Sequence, residues 1–172
     1  DNFFYGMNFN SMNLTRLNKN FGAKIFAYYV DTPERYGVVS FKNNKVISID
    51  EKPKKPNSNY AATGLYLYDN NVVKYVKQIK PSKRNELEIT DLNNIYLKKK
   101  KLEVHKLSQG TVWLDAGTTS DLLKASQYVQ TIQDRQRILI GSPEETALIK
   151  GWITKENFKI LLKDLPNNDY KN

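Results

Sequence analysis

Segments typical of β-strands alternate with segments of helical periodicity along the chain, and this alternation limits the possible folds most. Aromatic and β-branched residues dominate the strand-like segments, whereas apolar residues recur every three or four positions in the helical ones. The strand and helix types mix throughout, so the sequence predicts an α/β or α+β fold. The predicted strands cover residues 23–30, 36–41, 46–51, 60–69, 101–107 and 111–115, with a hairpin turn at 42–45. The predicted helices cover residues 9–20, 70–79 and 86–97, begin near 118 and 142, and end the chain within 151–165.

The composition narrows the class of protein further. The 172 residues suffice for one domain with a core, and 40% of them are hydrophobic. No apolar run approaches the roughly 20 residues of a membrane span, so we expect no membrane association. The chain has no Cys, which excludes disulfides and thiolate metal sites and favours a cytoplasmic location.

The net charge of +9 is compatible with nucleic acid, an anionic surface or a phosphorylated substrate as the binding partner. The lysine run at residues 98–101 ends a predicted helix, where cations suit the helix dipole. Aromatic residues do not interleave with the lysines as single-strand binding requires. The pattern therefore disfavours nucleic-acid binding, although a basic nucleic-acid-binding protein stays an alternative.

One stretch, TVWLDAGTTSDLLKAS at residues 111–126, combines a strand, a turn and a helix start around a single Asp. Asp115 follows the apolar end of the strand, and ligands of open α/β sheets bind beyond the carboxyl ends of strands. A carboxylate there can hold Mg²⁺ against substrate phosphates. The alternative is that Asp115 accepts hydrogen bonds from backbone amides of the turn.

Other candidates are equally ambiguous on pattern alone. Asp1 in DNFFYG is either the end of a strand or an unremarkable terminal residue. Glu51 and Lys52 could receive sugar hydroxyls and a phosphate, and Arg84 precedes a helix start that favours anions, but all three suit a solvated loop. Gly64 within a strand marks either close approach of a ligand or a bulge.

Taken together, five segments in this order resemble the sugar nucleotidyltransferase family over nearly the whole chain. They are DNFFYG, DTPERYGVVSF, ISIDEKPKKPNSNYAATGLYLYDN, KPSKRNELEITDLNNIYL and VWLDAGTTSDLLKASQYV. The resemblance implies a Rossmann-like mixed sheet flanked by helices. It also implies transfer of a nucleotidyl group from a nucleoside triphosphate to a sugar-1-phosphate, with release of pyrophosphate. The likeness is strongest to members that use dTTP and glucose-1-phosphate at the start of dTDP-rhamnose synthesis, with uridylyl transfer as the alternative.

The resemblance also assigns residues. It implies that Asp1 and Asp115 hold Mg²⁺, that Lys52 and Arg84 grip the sugar phosphate during catalysis, and that Glu51 receives sugar hydroxyls. The remaining residues that it places around the sugar are Tyr36, Gly37, Ala62, Gly64, Tyr66 and Trp113. It implies direct in-line attack by a sugar-phosphate oxygen on the α-phosphorus of the triphosphate.

The family's glycine-rich GxGTRLxPxT loop has no counterpart in this sequence, whose 8 glycines form no G-x-G cluster. We therefore expect the C-terminal part of such an enzyme, with an uncovered sheet edge and no transferase activity alone. Residues 1–135 would form the sugar-phosphate and metal-binding part, and residues 136–172 a helical segment. The family also implies a homo-oligomer, and a sugar-phosphate-binding or regulatory module without catalysis remains an alternative.

Overall fold

The computed structural model describes residues 2–6, 20–166 and 170 of the chain. Asp1 and most of the helix predicted at 9–20 lie outside these residues. The chain divides into two compact units, Asp1–Gly117 and Thr118–Asn172. The functional boundary that the sequence predicts at residue 135 stays a prediction.

Seven strands and two α-helices are described in the first unit. The strands are β1 (Asn2–Tyr5), β2 (Ala23–Tyr29), β3 (Gly37–Lys42), β4 (Lys45–Glu51), β5 (Tyr60–Tyr68), β6 (Leu102–Lys106) and β7 (Val112–Asp115). The helices are α1 (Val72–Val76) and α2 (Ile89–Lys98), and a short 3-10 helix covers Pro33–Arg35. The predicted strands from residue 23 onwards are therefore present, whereas β1 lies in DNFFYG, where the sequence offered the end of a strand only as one of two alternatives.

The strands form two hydrogen-bonded sheets. Five strands are arranged in the order β4-β3-β5-β2-β6, with β2 and β6 parallel and the other neighbours antiparallel. The second sheet is an antiparallel pair of β1 and β7, which we call the ribbon. Parallel and antiparallel neighbours in the larger sheet confirm the mixed sheet that the resemblance implies.

The hairpin between β3 and β4 turns where the sequence predicts it. Asn43 and Asn44 both have positive φ, 49° and 59°, as the tightest two-residue hairpin turn requires. Asn adopts this conformation more readily than most residues because its short side chain bonds locally. The turn sets the β3–β4 register and, through it, which residues meet at the far end of the hairpin.

Helix α2 packs on one face of the larger sheet and completes the core. Its Leu92 and Tyr96 are fully buried, 2% and 1% exposed, against alternate residues of the strands. The core cluster contains Ala23, Ile25, Ala27, Val39, Ile49, Leu92, Tyr96 and Leu102. Helix α2 begins three residues later than predicted because Glu88 is extended and stands at its N-cap position.

Three helices are described in the second unit, and the first two begin at the predicted capping residues, whereas no capping residue was predicted for the third. They are α3 (Thr119–Gln136), α4 (Pro143–Ile149) and α5 (Lys155–Asp164). The side-chain oxygens of Thr118, Ser142 and Thr154 each accept a hydrogen bond from a backbone amide in the first turn. In the described parts of the chain, no helix has the length and apolar character needed to cross a membrane.

Candidate functional site

The open end of the β3–β4 hairpin brings four predicted residues together. Gly37 lies opposite Glu51 in the antiparallel register, and the amide of Lys52 donates to the carbonyl of Tyr36 at 3.0 Å. Lys52 has a φ of 41°, in the left-handed region that non-glycine residues seldom adopt. Residues with strained backbone conformations cluster at functional sites, so the conformation of Lys52 is consistent with a functional role.

The middle of β5 forms the floor beside this hairpin. Ala62, Gly64 and Tyr66 lie at alternate positions of the strand. The register with β2 shifts between Ile25 and Ala27, so β5 is irregular around Gly64. A Cβ atom added to Gly64 would lie 2.2 Å from the side-chain nitrogen of Asn2. Gly64 thus marks both a bulge and a close approach, here by another side chain of the same chain.

The ribbon supplies the opposite wall. Trp113 is 7% exposed, and its ring centroid lies 5.1 Å from that of Tyr36. Asp115 ends β7, and its Oδ1 accepts a hydrogen bond from the amide of Gly117 at 3.1 Å. The turn contact that the sequence left as an alternative therefore exists, and Asp115 also faces the cavity described next.

These segments surround one cavity of about 230 Å³. This is smaller than the roughly 300–1,000 Å³ of sites for drug-sized ligands, so it suits a monosaccharide-sized group. Nine residues proposed from the sequence line it: Tyr36, Gly37, Glu51, Lys52, Ala62, Gly64, Tyr66, Trp113 and Asp115. Four further lining residues were not proposed: Asn2, Arg35, Ile89 and Thr90.

Arg84 is not among the described residues that line this cavity. Its guanidinium is held by Glu88, with Nη2 2.8 Å from Oε2 and 2.9 Å from Oε1 of that carboxylate. The same Nη2 lies 3.3 Å from Oε1 of Glu51 and 3.3 Å from Glu86. Hydrogen bonding to Glu88 and the charges of all three carboxylates raise the pKa of Arg84. Arg84 therefore reaches the cavity through its contact with Glu51.

Sequence reasoning missed Thr90 and Arg35 although both lie within quoted segments. Thr90 Oγ1 donates to Oε2 of Glu51 at 2.5 Å, because α2 starts beside the end of β4. The Arg35 guanidinium lies 5.6 Å from the centroid of the Tyr36 ring, a cation–π distance. Arg35 lies in the ERYG segment and Thr90 in the ELEIT segment, but the contacts of their side chains follow only from the fold.

The lining of the cavity combines charged side chains with aromatic rings. Lys52 and Arg35 supply positive charge, whereas Glu51 and Asp115 supply carboxylates. Burial and the negative charge of Glu51 raise the pKa of Tyr66 to about 12. The Tyr66 hydroxyl is thus protonated at neutral pH. This combination suits a ligand that carries both an anionic group and hydroxyls.

The predicted metal site is only partly within the described residues, since Asp1 lies outside them. Among the described residues, no group of three or more His, Cys, Asp and Glu could hold a metal ion. Asp115 nevertheless fits Mg²⁺, which usually takes one or two carboxylates and completes its shell with phosphate oxygens and water. Its Oδ1 already accepts a backbone hydrogen bond, which fixes the carboxylate at the cavity wall.

Known proteins resemble this chain over nearly all of its length. A glucose-1-phosphate thymidylyltransferase of Neisseria meningitidis serogroup A is 45% identical over 171 residues, which cover 99% of this chain and 59% of the relative. One from Xanthomonas campestris pv. campestris is 46% identical and covered to 58% of its length. The chain thus spans less than two thirds of these relatives.

A solved structure agrees with the sequence comparison. The crystal structure of a Bacillus anthracis protein assigned as a glucose-1-phosphate thymidylyltransferase, in complex with sucrose, superposes with a TM-score of 0.67 at 43% identity. The alignment covers 83% of this chain and 54% of that one. This likeness confirms the predicted α/β class. The sequence profile of the nucleotidyl transferases matches residues 1–132, and the chain belongs to this family.

Proposed function

We propose that the chain forms the sugar-phosphate site of a glucose-1-phosphate thymidylyltransferase. The observation that carries this proposal is the convergence of nine residues, drawn from separate segments of the sequence, on one small polar cavity. The relatives that share 45% and 46% identity bear the name of this activity, which favours thymidylyl over uridylyl transfer. The cytoplasmic location, the homo-oligomer and the dTDP-rhamnose pathway stay predictions.

The charged and aromatic residues of the cavity can serve both parts of a hexose phosphate. Glu51 accepts hydrogen bonds from sugar hydroxyls, and the rings of Tyr36 and Trp113 cover an apolar face of the sugar. Lys52 and Arg35 attract the phosphate, Lys52 as a point charge and Arg35 as a planar donor fork. The Tyr66 hydroxyl, which also lines the cavity, is protonated at neutral pH and can donate a hydrogen bond to the ligand.

The residues would promote the reaction by position and charge. A phosphate oxygen of the sugar attacks the α-phosphorus of dTTP, a new P–O bond forms, and the bond to pyrophosphate breaks. Lys52 neutralises the attacking phosphate so that two anions can approach each other. Arg84 would also neutralise the attacking phosphate if that phosphate replaced Glu51 at Nη2. Of the three carboxylates that contact Arg84, Glu51 is the second most exposed, after Glu86.

Mg²⁺ would be held by Asp115, with Asp1 as the second carboxylate that the resemblance assigns. A bound Mg²⁺ would supply charge neutralisation for the triphosphate oxygens. An Asp115→Asn variant should therefore bind Mn²⁺, used as a paramagnetic substitute, more weakly than the wild type. Retention of wild-type Mn²⁺ relaxation effects by that variant would remove Asp115 from the metal site.

Calorimetric titration with glucose-1-phosphate tests the binding proposal. The chain should bind glucose-1-phosphate more tightly than either glucose or inorganic phosphate, because only glucose-1-phosphate offers hydroxyls to Glu51 and a phosphate to Lys52 at once. Lys52→Ala should weaken binding by about 10-fold or more, as expected for a charged hydrogen bond. Lys54→Ala, in the exposed loop beyond it, is the matched control and should bind as the wild type does. Equal affinities for all three ligands would refute the assignment.

Turnover needs a separate test because this sequence contains no glycine-rich G-x-G loop. We expect no pyrophosphate release from the chain with dTTP, glucose-1-phosphate and Mg²⁺. Adding a fragment that carries the family's glycine-rich loop should produce pyrophosphate release. Sugar-phosphate binding without any release after that addition would instead favour a binding or regulatory module.

A further inference from the structure

The candidate cavity lies between two sheets that share no strand. Trp113, Asp115 and Asn2 come from the ribbon, whereas Glu51 and Tyr66 come from the five-stranded sheet. No backbone ladder among the described residues fixes one sheet to the other. Side chains that bridge the two sheets therefore contribute to the spacing between them across the cavity.

One oxygen atom of Asn2 makes such a bridge at the cavity wall. Asn2 Oδ1 accepts a hydrogen bond from the indole Nε1 of Trp113 at 2.6 Å and another from the backbone amide of Gly64 at 3.1 Å. Both partners are pure donors, so only the carbonyl oxygen of the Asn2 amide can occupy this position. A carbonyl oxygen has two lone pairs, and both are used here.

The surroundings are shaped for this contact. Gly64 leaves room for the Asn2 amide, whose Cγ would lie only 2.5 Å from any Cβ at position 64. Asn2 also lies directly opposite Asp115 in the ribbon, and Phe4 lies opposite Trp113. Positions 2, 113 and 115 therefore share one face of the ribbon, the face turned to the cavity.

A second bridge gives an internal comparison. The Tyr28 hydroxyl of β2 donates to the carbonyl of Thr111 at 3.2 Å, just before β7. Tyr28 also packs against Trp113 with ring centroids 5.8 Å apart, but it does not line the cavity. The two bridges thus join the same pair of sheets at different places, and only one of them touches the cavity.

We propose that Asn2 is a positioning residue, whose side-chain carbonyl fixes the Trp113 indole and β5 at the spacing that the sugar requires. The part that concerns the sugar rests on the proposed function above. The part that concerns the bridge rests on the geometry alone. Loss of the carbonyl should release the indole and widen the cavity without unfolding the larger sheet.

The first test follows the Trp113 indole proton by NMR, with solvent exchange as the readout. Asn2→Leu keeps the approximate shape of the side chain but removes the acceptor, so the Trp113 Nε1 proton should exchange at least about 10-fold faster. Asn2→Asp keeps an acceptor oxygen and should preserve the slow exchange. Gly64→Ala should reproduce the effect of Asn2→Leu because it displaces the amide. Unchanged exchange in Asn2→Leu would overturn the proposal whether or not any ligand binds.

The second test compares ligand affinity with stability. Asn2→Leu should weaken glucose-1-phosphate binding by about 10-fold, whereas Tyr28→Phe, which removes the other bridge, should bind nearly as the wild type does. Urea unfolding shows how far each change destabilises the chain. Equal losses of affinity in both variants would show that the Asn2 bridge is merely structural, which would overturn the positioning role. If the wild-type chain bound no glucose-1-phosphate, the proposed function would fail while the exchange experiment would still decide the bridge.

Discussion

Thr90 and Glu51 are joined by a hydrogen bond of 2.5 Å between Oγ1 and Oε2, across the gap between the start of α2 and the end of β4. A Cβ at Gly37 would lie 3.0 Å from that same hydroxyl, so the neighbouring strand leaves little freedom around it. The hydroxyl therefore orients the carboxylate that we expect to receive the sugar. Because the carboxylate is already oriented, less conformational entropy is lost when a ligand binds to it.

Replacing Thr90 tests this relationship. Thr90→Val keeps the shape but removes the donor, so glucose-1-phosphate affinity should fall by about 10-fold or more, since one hydrogen bond to a charged group contributes roughly 1.5–3 kcal/mol. Thr90→Ser retains the hydroxyl and serves as the control. Titration calorimetry measures both, and equal affinities for the Val and Ser variants would contradict the orienting role.

Lys52 should show opposite effects on binding and on stability. Its positive φ strains a residue with a side chain, and Gly relieves that strain. Lys52→Gly should therefore leave the free energy of unfolding unchanged or raise it by up to about 1 kcal/mol while weakening glucose-1-phosphate binding. Lys54→Gly, at a position without positive φ, should lower stability slightly. Urea titration separates the two cases, and a clear loss of stability in Lys52→Gly would argue against strain.

Glu88 should make the hold on Arg84 sensitive to acid. Hydrogen bonds from Ser82 and then from Arg84 lower the pKa of Glu88. Its contribution to stability is present above the ordinary Glu pKa of about 4.3 and is lost as the pH falls through the lower folded-state pKa. The difference in unfolding free energy between wild type and Glu88→Gln should thus shrink from pH 7 to pH 3.

The control for that comparison is Glu86→Gln. Glu86 also contacts Arg84 at 3.3 Å, but its side chain is 62% exposed, so water and salt weaken the pair. Its effect at pH 7 should be smaller than that of Glu88→Gln. Similar effects of the two variants across the whole pH range would show that Glu88 has no special hold on Arg84.

Tyr66 should contribute to alkaline unfolding. Its folded-state pKa of about 12 lies above the ordinary value of 10, so its contribution is complete below pH 10 and is lost as the pH rises through 12. One pKa unit corresponds to about 1.4 kcal/mol, so the difference between wild type and Tyr66→Phe should change by about 2 kcal/mol over this range. Urea unfolding at pH 8 and 11.5 measures it, and parallel pH curves for the two proteins would refute the raised pKa.

Local sequence signals predicted the elements that local forces determine. The pair Asn43 and Asn44 predicts a hairpin turn, and Ser142 before Pro143 predicts a helix start. Both signals are local, because each residue affects the conformation of its own backbone and of its near neighbours. Helix α1 is shorter than predicted, ending at Val76, since it has no side-chain cap and buries no residue completely. Periodicity alone does not show whether such a short helix finds enough contacts to continue.

The site was predictable in part. The resemblance brought Glu51, Lys52 and Trp113 to attention, and the fold places them in one cavity. The engagement of Arg84 by Glu88 and the bridge made by Asn2 could not be read from the sequence. Both depend on the directions of individual side chains, and the Asn2 bridge joins positions 111 residues apart.

The ribbon pairs the two ends of the first unit through strands of only four residues each. Pairing such distant segments costs chain entropy, and the few hydrogen bonds between two short strands offset only part of that cost. Unzipping the ribbon would open the aromatic wall while the larger sheet and its core stayed intact, a local rather than a global transition. We therefore expect the ribbon to open before the larger sheet does, and a ligand that contacts Trp113 would favour the paired ribbon.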